Sequence, residues 1–195
     1  MESALESRIV EATLRCVERW GIAKTTLDDV AREAGCGRAT IYRAFPGGKN
    51  EVLAATLQHE MVRGIAAIDQ AAREQDTLED VLVAGATTAA RLMRDHAALQ
   101  TVLTHEPIAQ QPLAAFDRMT KVYAAASACA APHLARFLAE EDVAAAAEWV
   151  TRVVLTYTFN PAPATDLCDE DDARRFVRTF VLPALVPQSA ARSSR

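Results

Sequence analysis

The stretch TTLDDVAREAGCGRATIYRAFPGGKN, residues 25–50, decides the fold of this chain. It reads as two short helices joined by the three-residue turn 35–37. Two crossing helices need a small residue where they touch, a glycine where the turn leaves helical dihedrals, and an apolar anchor on the second helix. Ala31, Gly35 and Ile41 provide these features at spacings of four and six residues. The stretch therefore predicts a helix-turn-helix.

The outward side of the second helix carries groups suited to DNA. Val30, Ala34 and Phe45 complete the buried side of the motif, so the opposite side of the second helix faces outward. This outward side would enter the major groove of a duplex. Arginine can bond guanine O6 and N7, alanine can touch a thymine methyl, and threonine and tyrosine hydroxyls can reach phosphates. The outward set is Arg38, Ala39, Thr40, Tyr42 and Arg43.

The charge distribution favours a local site for DNA. The net charge of residues 35–49 is +3. Residues 1–50 together have a net charge of +1 and the other 145 residues one of −6, which gives −5 for the whole chain. An acidic remainder fits a site-specific binder better than a protein that coats nucleic acid.

The rest of the chain predicts helices. Ala contributes 40 residues against 7 Gly and 8 Pro, and no window alternates apolar and polar residues over a strand length. Helix 1 is expected over about residues 3–20 and should end at Gly21. A long helix is expected from Lys49 or Asn50 to Arg73. Thr77 and Asp80 resemble a capping box. The later helices are expected at 77–95, 97–105, 112–130 (ended by Pro132), Val143–Phe159 and Asp169–Leu185, before a disordered tail at 188–195.

Residues 7–57 resemble the N-terminal DNA-binding domain of the tetracycline-repressor (TetR) family of bacterial transcriptional regulators. The shared features are Gly21, the Thr25-Thr26 pair, Val30-Ala31-x-x-Ala34-Gly35, Thr40-Ile41-Tyr42-Arg43-x-Phe45 and Lys49-x-Glu51-x-Leu53. Gly37 and Ala44 depart from the family pattern, where Ser or Thr and His or Tyr are common. By this resemblance Thr26, Thr40, Tyr42 and Lys49 hold phosphates, while Arg38, Ala39 and Arg43 face bases; Thr25 joins the candidate DNA-binding set.

The resemblance implies an all-α, two-domain, ligand-responsive regulator, with repression as the expected sign. Residues 1–48 would bind DNA, residues 49–76 would form the connecting helix 4, and residues 77–187 would bind a ligand and dimerise. A palindromic double-stranded operator and a homodimer are the expected partners. The dimer would use apolar stripes on Val143–Phe159 and Asp169–Leu185, including Trp149, Val150, Phe176 and Phe180.

A small, mostly apolar molecule is the expected effector, because the second domain offers many apolar side chains and few polar ones. The candidate lining residues are Leu92, His96, Leu99, Val102, Leu103, Phe116, Met119, Thr120, Tyr123 and Trp149, with His105 and Thr156 as further polar groups. The alternative is that the same residues pack as a solid core.

Other function classes find little support in the sequence. The chain has no G-x-S-x-G elbow and no glycine-rich phosphate loop, so an enzyme is not expected. The four histidines show no H-x-x-x-H or H-x-E pattern and the four cysteines no C-x-x-C pair, so neither a metal nor another cofactor is predicted. The N-terminus lacks a signal-peptide pattern, and no apolar run reaches membrane-spanning length, so a cytoplasmic protein is expected. A helical module that uses residues 1–50 for a protein partner, without DNA, remains the alternative function.

Overall fold

The computed structural model describes residues 4–98, 112–160 and 162–185, and for 112–119 the backbone alone. These residues form helices joined by short turns, with one isolated bridge between Ala162 and Thr165. The all-α prediction is therefore confirmed. The helices are α1 (Ala4–Lys24), α2 (Leu27–Ala34), α3 (Arg38–Ala44), α4 (Lys49–Arg73), α5 (Leu78–Asp95), α6 (Pro112–Leu134), α7 (Glu140–Phe159), α8 (Glu170–Phe176) and α9 (Leu182–Leu185), with a π-helical turn, Val177–Val181, between the last two.

The chain divides into two compact units. The first contains the described residues of Met1–Arg63 and Asp95–Pro112, and the second those of Gly64–Arg94 and Leu113–Arg195. The boundary at residues 63/64 lies inside α4, so this continuous helix contributes to both units.

The core of the first unit confirms the predicted helix-turn-helix. Its buried side chains come from α1, α2, α3 and the start of α4. Gly35 lies in the left-handed region at φ 62°, where glycine carries no Cβ penalty. Its N–H bonds the carbonyl of Arg32 and the N–H of Cys36 bonds that of Ala31, which together form a Schellman motif. The predicted inner residues Val30, Ala31, Ala34, Ile41 and Phe45 are all buried.

Local capping sets the ends of α1 and α2. Gly21 has non-helical dihedrals, φ 79° and ψ 167°, and a helical turn resumes after it to Lys24. Thr26 caps α2 through a capping box: its hydroxyl accepts from the Asp29 N–H at 3.2 Å, and the Asp29 carboxylate accepts from the Thr26 N–H at 3.3 Å. The hydrogen bonds with Thr26 lower the pKa of Asp29.

The second unit has its own core, built by α5, the end of α6, α7 and α8. The hydroxyl of Thr77 accepts from the N–H of Asp80 at 3.1 Å, and the carboxylate of Asp169 accepts from the N–H of Asp172 at 3.0 Å, so both predicted helix starts are confirmed. Arg174 ties α8 to α5 through ion pairs with Glu79 at 2.8 Å and Asp80 at 2.6 Å.

The helix predicted at 112–130 was expected to end at Pro132. This prediction is wrong, because the corresponding helix α6 continues to Leu134. A proline removes one backbone donor, and here two tertiary contacts compensate for that loss. Leu134 is buried in the core of the unit, and His133 bonds Asp69. Tertiary packing therefore outweighs the local breaker.

Several predictions fall outside the described residues. They concern most of the helix over 97–105, the side chains of Leu99, Val102, Leu103, His105, Phe116 and Met119, and the tail 188–195.

Candidate DNA interface and effector cavity

The outward face of α3 presents the predicted side chains to solvent. Arg38, Ala39, Tyr42 and Arg43 are exposed, and Thr40 is half-buried. This face lies opposite the buried Ile41, as the spacing predicts. The helix therefore offers two arginines, a small apolar residue and two hydroxyls on one accessible surface.

Arg38 is held by neighbouring side chains. Its Nη1 lies 3.0 Å from Asp28 Oδ2 on α2, and its Nη2 donates to the Tyr42 hydroxyl at 3.4 Å. The hydrogen bond to Tyr42 and the charge of Asp28 raise the pKa of Arg38. The guanidinium carbon also lies 5.6 Å from the centre of the Tyr42 ring. Arg38 is therefore oriented, and part of its charge is neutralised.

Two of the other candidate DNA residues have structural contacts. Thr25 is only 2% exposed, and its hydroxyl donates to the carbonyl of Gly21 at 2.7 Å, so the structure argues against a DNA contact by this side chain. Lys49 Nζ donates to the carbonyl of Ile22 at 2.7 Å and that of Ala23 at 3.4 Å, near the end of α1. Lys49 therefore ties the start of α4 to the end of α1.

A cavity of about 90 Å³ lies within the second unit. Its wall is formed by side chains of α4, α5, α6 and α7 and is almost entirely apolar. Its polar groups come from Thr151, His133 and Cys129. The lining residues are Ile65, Ile68, Ala72, Val81, Leu82, Gly85, Ala86, Ala89, Ala126, Cys129, Ala130, His133, Leu134, Val150, Thr151, Val154 and Leu155.

None of the five predicted ligand residues whose side chains the structure describes lines this cavity. Leu92 and Trp149 are 37% and 39% exposed, Thr120 is exposed, and Tyr123 is half-buried beneath the guanidinium of Arg152. His96 Nε2 lies 3.0 Å from Glu60 Oε2, and both residues belong to the first unit. The described part of the predicted set therefore lies outside this cavity, because spacing identifies an apolar stripe but not the helices that it faces.

A polar cluster on the cavity wall was missed by the sequence reasoning. His133 Nε2 lies 2.8 Å from Asp69 Oδ1, and Cys129 Sγ donates to the carbonyl of Ile65 at 3.8 Å. Arg73 forms an ion pair with the other carboxylate oxygen of Asp69. The spacing Cys129-x-x-x-His133, two ligand types one helical turn apart, was the signal in the sequence.

The predicted dimer stripes are only partly available to a second chain. Val150 and Phe176, like Ala146, Ala173, Val177 and Val181, are buried in the core of their own unit. Trp149, Phe159 and Phe180 are exposed, Phe180 to 63%. Within the predicted stripes, Trp149 and Phe180 therefore remain available to a partner, whereas Val150 and Phe176 pack within their own chain.

None of the described helices is both long enough and apolar enough to cross a membrane.

Comparison with known proteins connects the helix-turn-helix to a family. The sequence model described as "Bacterial regulatory proteins, tetR family" matches residues 9–56. An uncharacterized HTH-type transcriptional regulator of Mycobacterium tuberculosis (strain ATCC 25618 / H37Rv) is 29% identical over 191 residues, which cover 94% of this chain and 87% of the relative.

Solved structures show the same fold over nearly the whole chain. The regulator FadR from Bacillus subtilis, in complex with stearoyl-CoA, has a TM-score of 0.62 at 17% identity, covering 89% of this chain and 97% of FadR. The TetR family repressor AlkX from Dietzia sp. strain DQ12-45-1b has a TM-score of 0.62 at 18% identity, covering 95% and 97%. Residues 9–56 thus match the DNA-binding domain of the TetR family of bacterial transcriptional regulators, and the chain as a whole shares the fold of these solved structures.

Proposed function

We propose that this regulator binds operator DNA through α3 and represses transcription until a small, mostly apolar molecule occupies the cavity of the second unit. The observation that carries the proposal is the exposed face of α3, where Arg38, Ala39, Tyr42 and Arg43 are accessible on a helix anchored by the buried Ile41. Residues 1–48 act as the DNA-binding domain, residues 49–76 connect, and residues 77–187 bind the effector and dimerise.

Base and phosphate contacts divide among these side chains by reach and chemistry. Arg38, Ala39 and Arg43 read base edges, while Thr26, Thr40, Tyr42 and Lys49 contact phosphates. Arg38 must exchange its pairing with Asp28 for DNA, and Lys49 must share its ammonium with the end of α1. Both rearrangements cost part of the binding energy.

The effector is matched by the chemistry of the cavity wall. Apolar surface on four helices favours an alkyl or aryl body, and Thr151, Cys129 and His133 offer a few polar contacts. The binding of stearoyl-CoA by the similarly folded FadR fits such a ligand. At about 90 Å³ the cavity is smaller than the roughly 300–1,000 Å³ of typical ligand sites, so a larger effector must push its wall apart.

This expansion supplies a physical basis for release from DNA. An effector shifts the equilibrium only if it binds the DNA-incompetent state more tightly than the competent one. Ile65, Ile68 and Ala72 of α4 line the cavity, and the same helix begins at Lys49 beside the helix-turn-helix. We infer that displacement of α4 carries the signal.

A homodimer completes the proposal. Two α3 helices would read half-sites about 34–36 Å apart, or a multiple of that spacing, on a palindromic operator. The exposed aromatic residues Trp149, Phe159 and Phe180 are the part of the two predicted helices that a second copy would cover.

Operator selection with the purified chain tests the function. Genomic fragments retained at moderate salt are sequenced, and one fragment is then titrated at several salt concentrations. A specific site whose affinity falls as salt rises supports the proposal. Compounds that stabilise the protein are next tested for operator release. Equal affinity for all fragments would contradict sequence-specific DNA recognition. Compounds that stabilise the protein but leave operator affinity unchanged would contradict the coupling between effector binding and DNA release.

A further inference from the structure

We propose that Asp69, Cys129 and His133 form a zinc-binding site at the wall of the cavity in the second unit. Each residue offers one ligand atom, and these three atoms lie within 4.8 Å of one another. His133 Nε2 and Asp69 Oδ1 lie 2.8 Å apart. A nitrogen, a sulfur and an oxygen ligand thus converge at one place in the described part of the chain.

The helices hold this arrangement before any ion binds. Cys129 and His133 are four residues apart on α6, so their side chains lie on one face, as do the paired ligands of helical zinc motifs. Asp69 comes from α4, and Cys129 Sγ also bonds a carbonyl of that helix, at Ile65. Tetrahedral zinc with ordinary bond lengths separates such ligands by about 3.4–3.6 Å. The His133–Asp69 pair must therefore open by under an ångström.

The donor set selects the class of ion. Mg²⁺ and Ca²⁺ prefer oxygen ligands alone, whereas one thiolate, one imidazole and one carboxylate suit Zn²⁺. Arg73 pairs with Asp69 Oδ2, which orients the carboxylate and leaves Oδ1 toward His133. The positive charge of Arg73 also competes with a cation, so Arg73 lowers the affinity of the site.

Binding is coupled to loss of a proton from Cys129. The zinc–sulfur bond forms as the S–H bond breaks, and the proton leaves to solvent. Three protein ligands leave a further coordination position for water or a donor atom of a cavity ligand. Zinc would thus place a cation in an otherwise apolar wall.

Cobalt titration of the full chain tests the site, because Co²⁺ bound to a thiolate gives a near-ultraviolet charge-transfer band. We expect a saturable band that Zn²⁺ abolishes. Cys129→Ser should remove the band, and His133→Gln and Asp69→Asn should each weaken binding about tenfold or more. The matched control is Cys168→Ser, a half-buried cysteine of the same unit outside the cluster, which should keep the band.

A second measurement needs no substitution at the cluster. Zn²⁺ should slow alkylation of Cys129 in the native chain, read by mass spectrometry of its peptides, and leave Cys36 and Cys168 unaffected. If the three residues serve only as a hydrogen-bonded link between α4 and α6, no cobalt band forms and Zn²⁺ protects no cysteine. A band that persists in Cys129→Ser, or equal protection of all cysteines, would also overturn the proposal.

Discussion

Arg38 and Asp28 form an ion pair between α3 and α2, with 3.0 Å between Arg38 Nη1 and Asp28 Oδ2. Both side chains are more than half exposed, so the pair contributes little to stability. It bears on the proposed DNA binding, because the carboxylate neutralises an arginine on the proposed reading face and would repel phosphates nearby.

Removing that carboxylate should strengthen DNA binding. Asp28→Asn frees Arg38 without changing the size of the side chain, so we expect tighter operator binding and a steeper dependence on salt. Fluorescence anisotropy at several salt concentrations measures both quantities. Glu33→Gln is the matched control, since it removes one acid from the same helix that pairs instead with Arg15. A similar gain in both variants would show that only net charge matters.

Arg43 and Lys49 should differ in how they affect binding. Arg43→Ala should lose about 1–3 kcal/mol at the operator and relax the sequence preference. Lys49→Ala should weaken binding to all sequences and lower the salt slope by about one. Because Lys49 also bonds the carbonyls of Ile22 and Ala23, its removal should lower the melting temperature, whereas Arg43→Ala should not. Equal, sequence-independent losses from both variants would contradict these roles.

Filling the cavity should abolish the response to effector. Ala126 lies on the cavity wall, so Ala126→Leu and Ala126→Phe should progressively reduce the thermal stabilisation by apolar compounds while operator binding persists. Ala128→Phe, on the exposed side of the same helix, is the control and should leave the response intact. An unchanged thermal shift in Ala126→Phe would place the effector elsewhere.

Phe180→Glu should yield monomers. Its ring is 63% exposed, so a charge there costs little within one chain but is unfavourable in an apolar interface. We expect a halved mass by light scattering, an unchanged helical signal and weak operator binding. Phe137→Glu, an exposed phenylalanine outside the predicted stripes, is the control. Val150→Glu and Phe176→Glu do not test the dimer, because both residues are buried in their own chain and these changes would unfold it.

The sequence alone determined the helix-turn-helix and most helix ends. Caps such as Thr26 and Asp169, the left-handed glycine Gly35 and the spacing of Ile41 and Phe45 act within a few residues, so their structural consequences can be read locally. These signals also carried the family resemblance. The packing of α2 against α3 could also be predicted from these signals, since a short turn leaves two such helices few ways to cross.

Only the tertiary structure decided which side chains enclose the cavity and which remain exposed. Apolar spacing shows that a helix has an inner face, but not which helix covers it or whether a space remains there. Leu92 and Trp149 were therefore predicted to line a site and are exposed, while Ala126 and Ala130 line the cavity. Thr25 was predicted to contact DNA, but packing buries its hydroxyl against the carbonyl of Gly21. Only the tertiary structure shows that Lys49, a proposed phosphate contact, also bonds the carbonyl of Ile22. Asp69 meets Cys129 and His133 because folding packs α4 against α6, and residues so far apart in sequence carry no local signal of that contact.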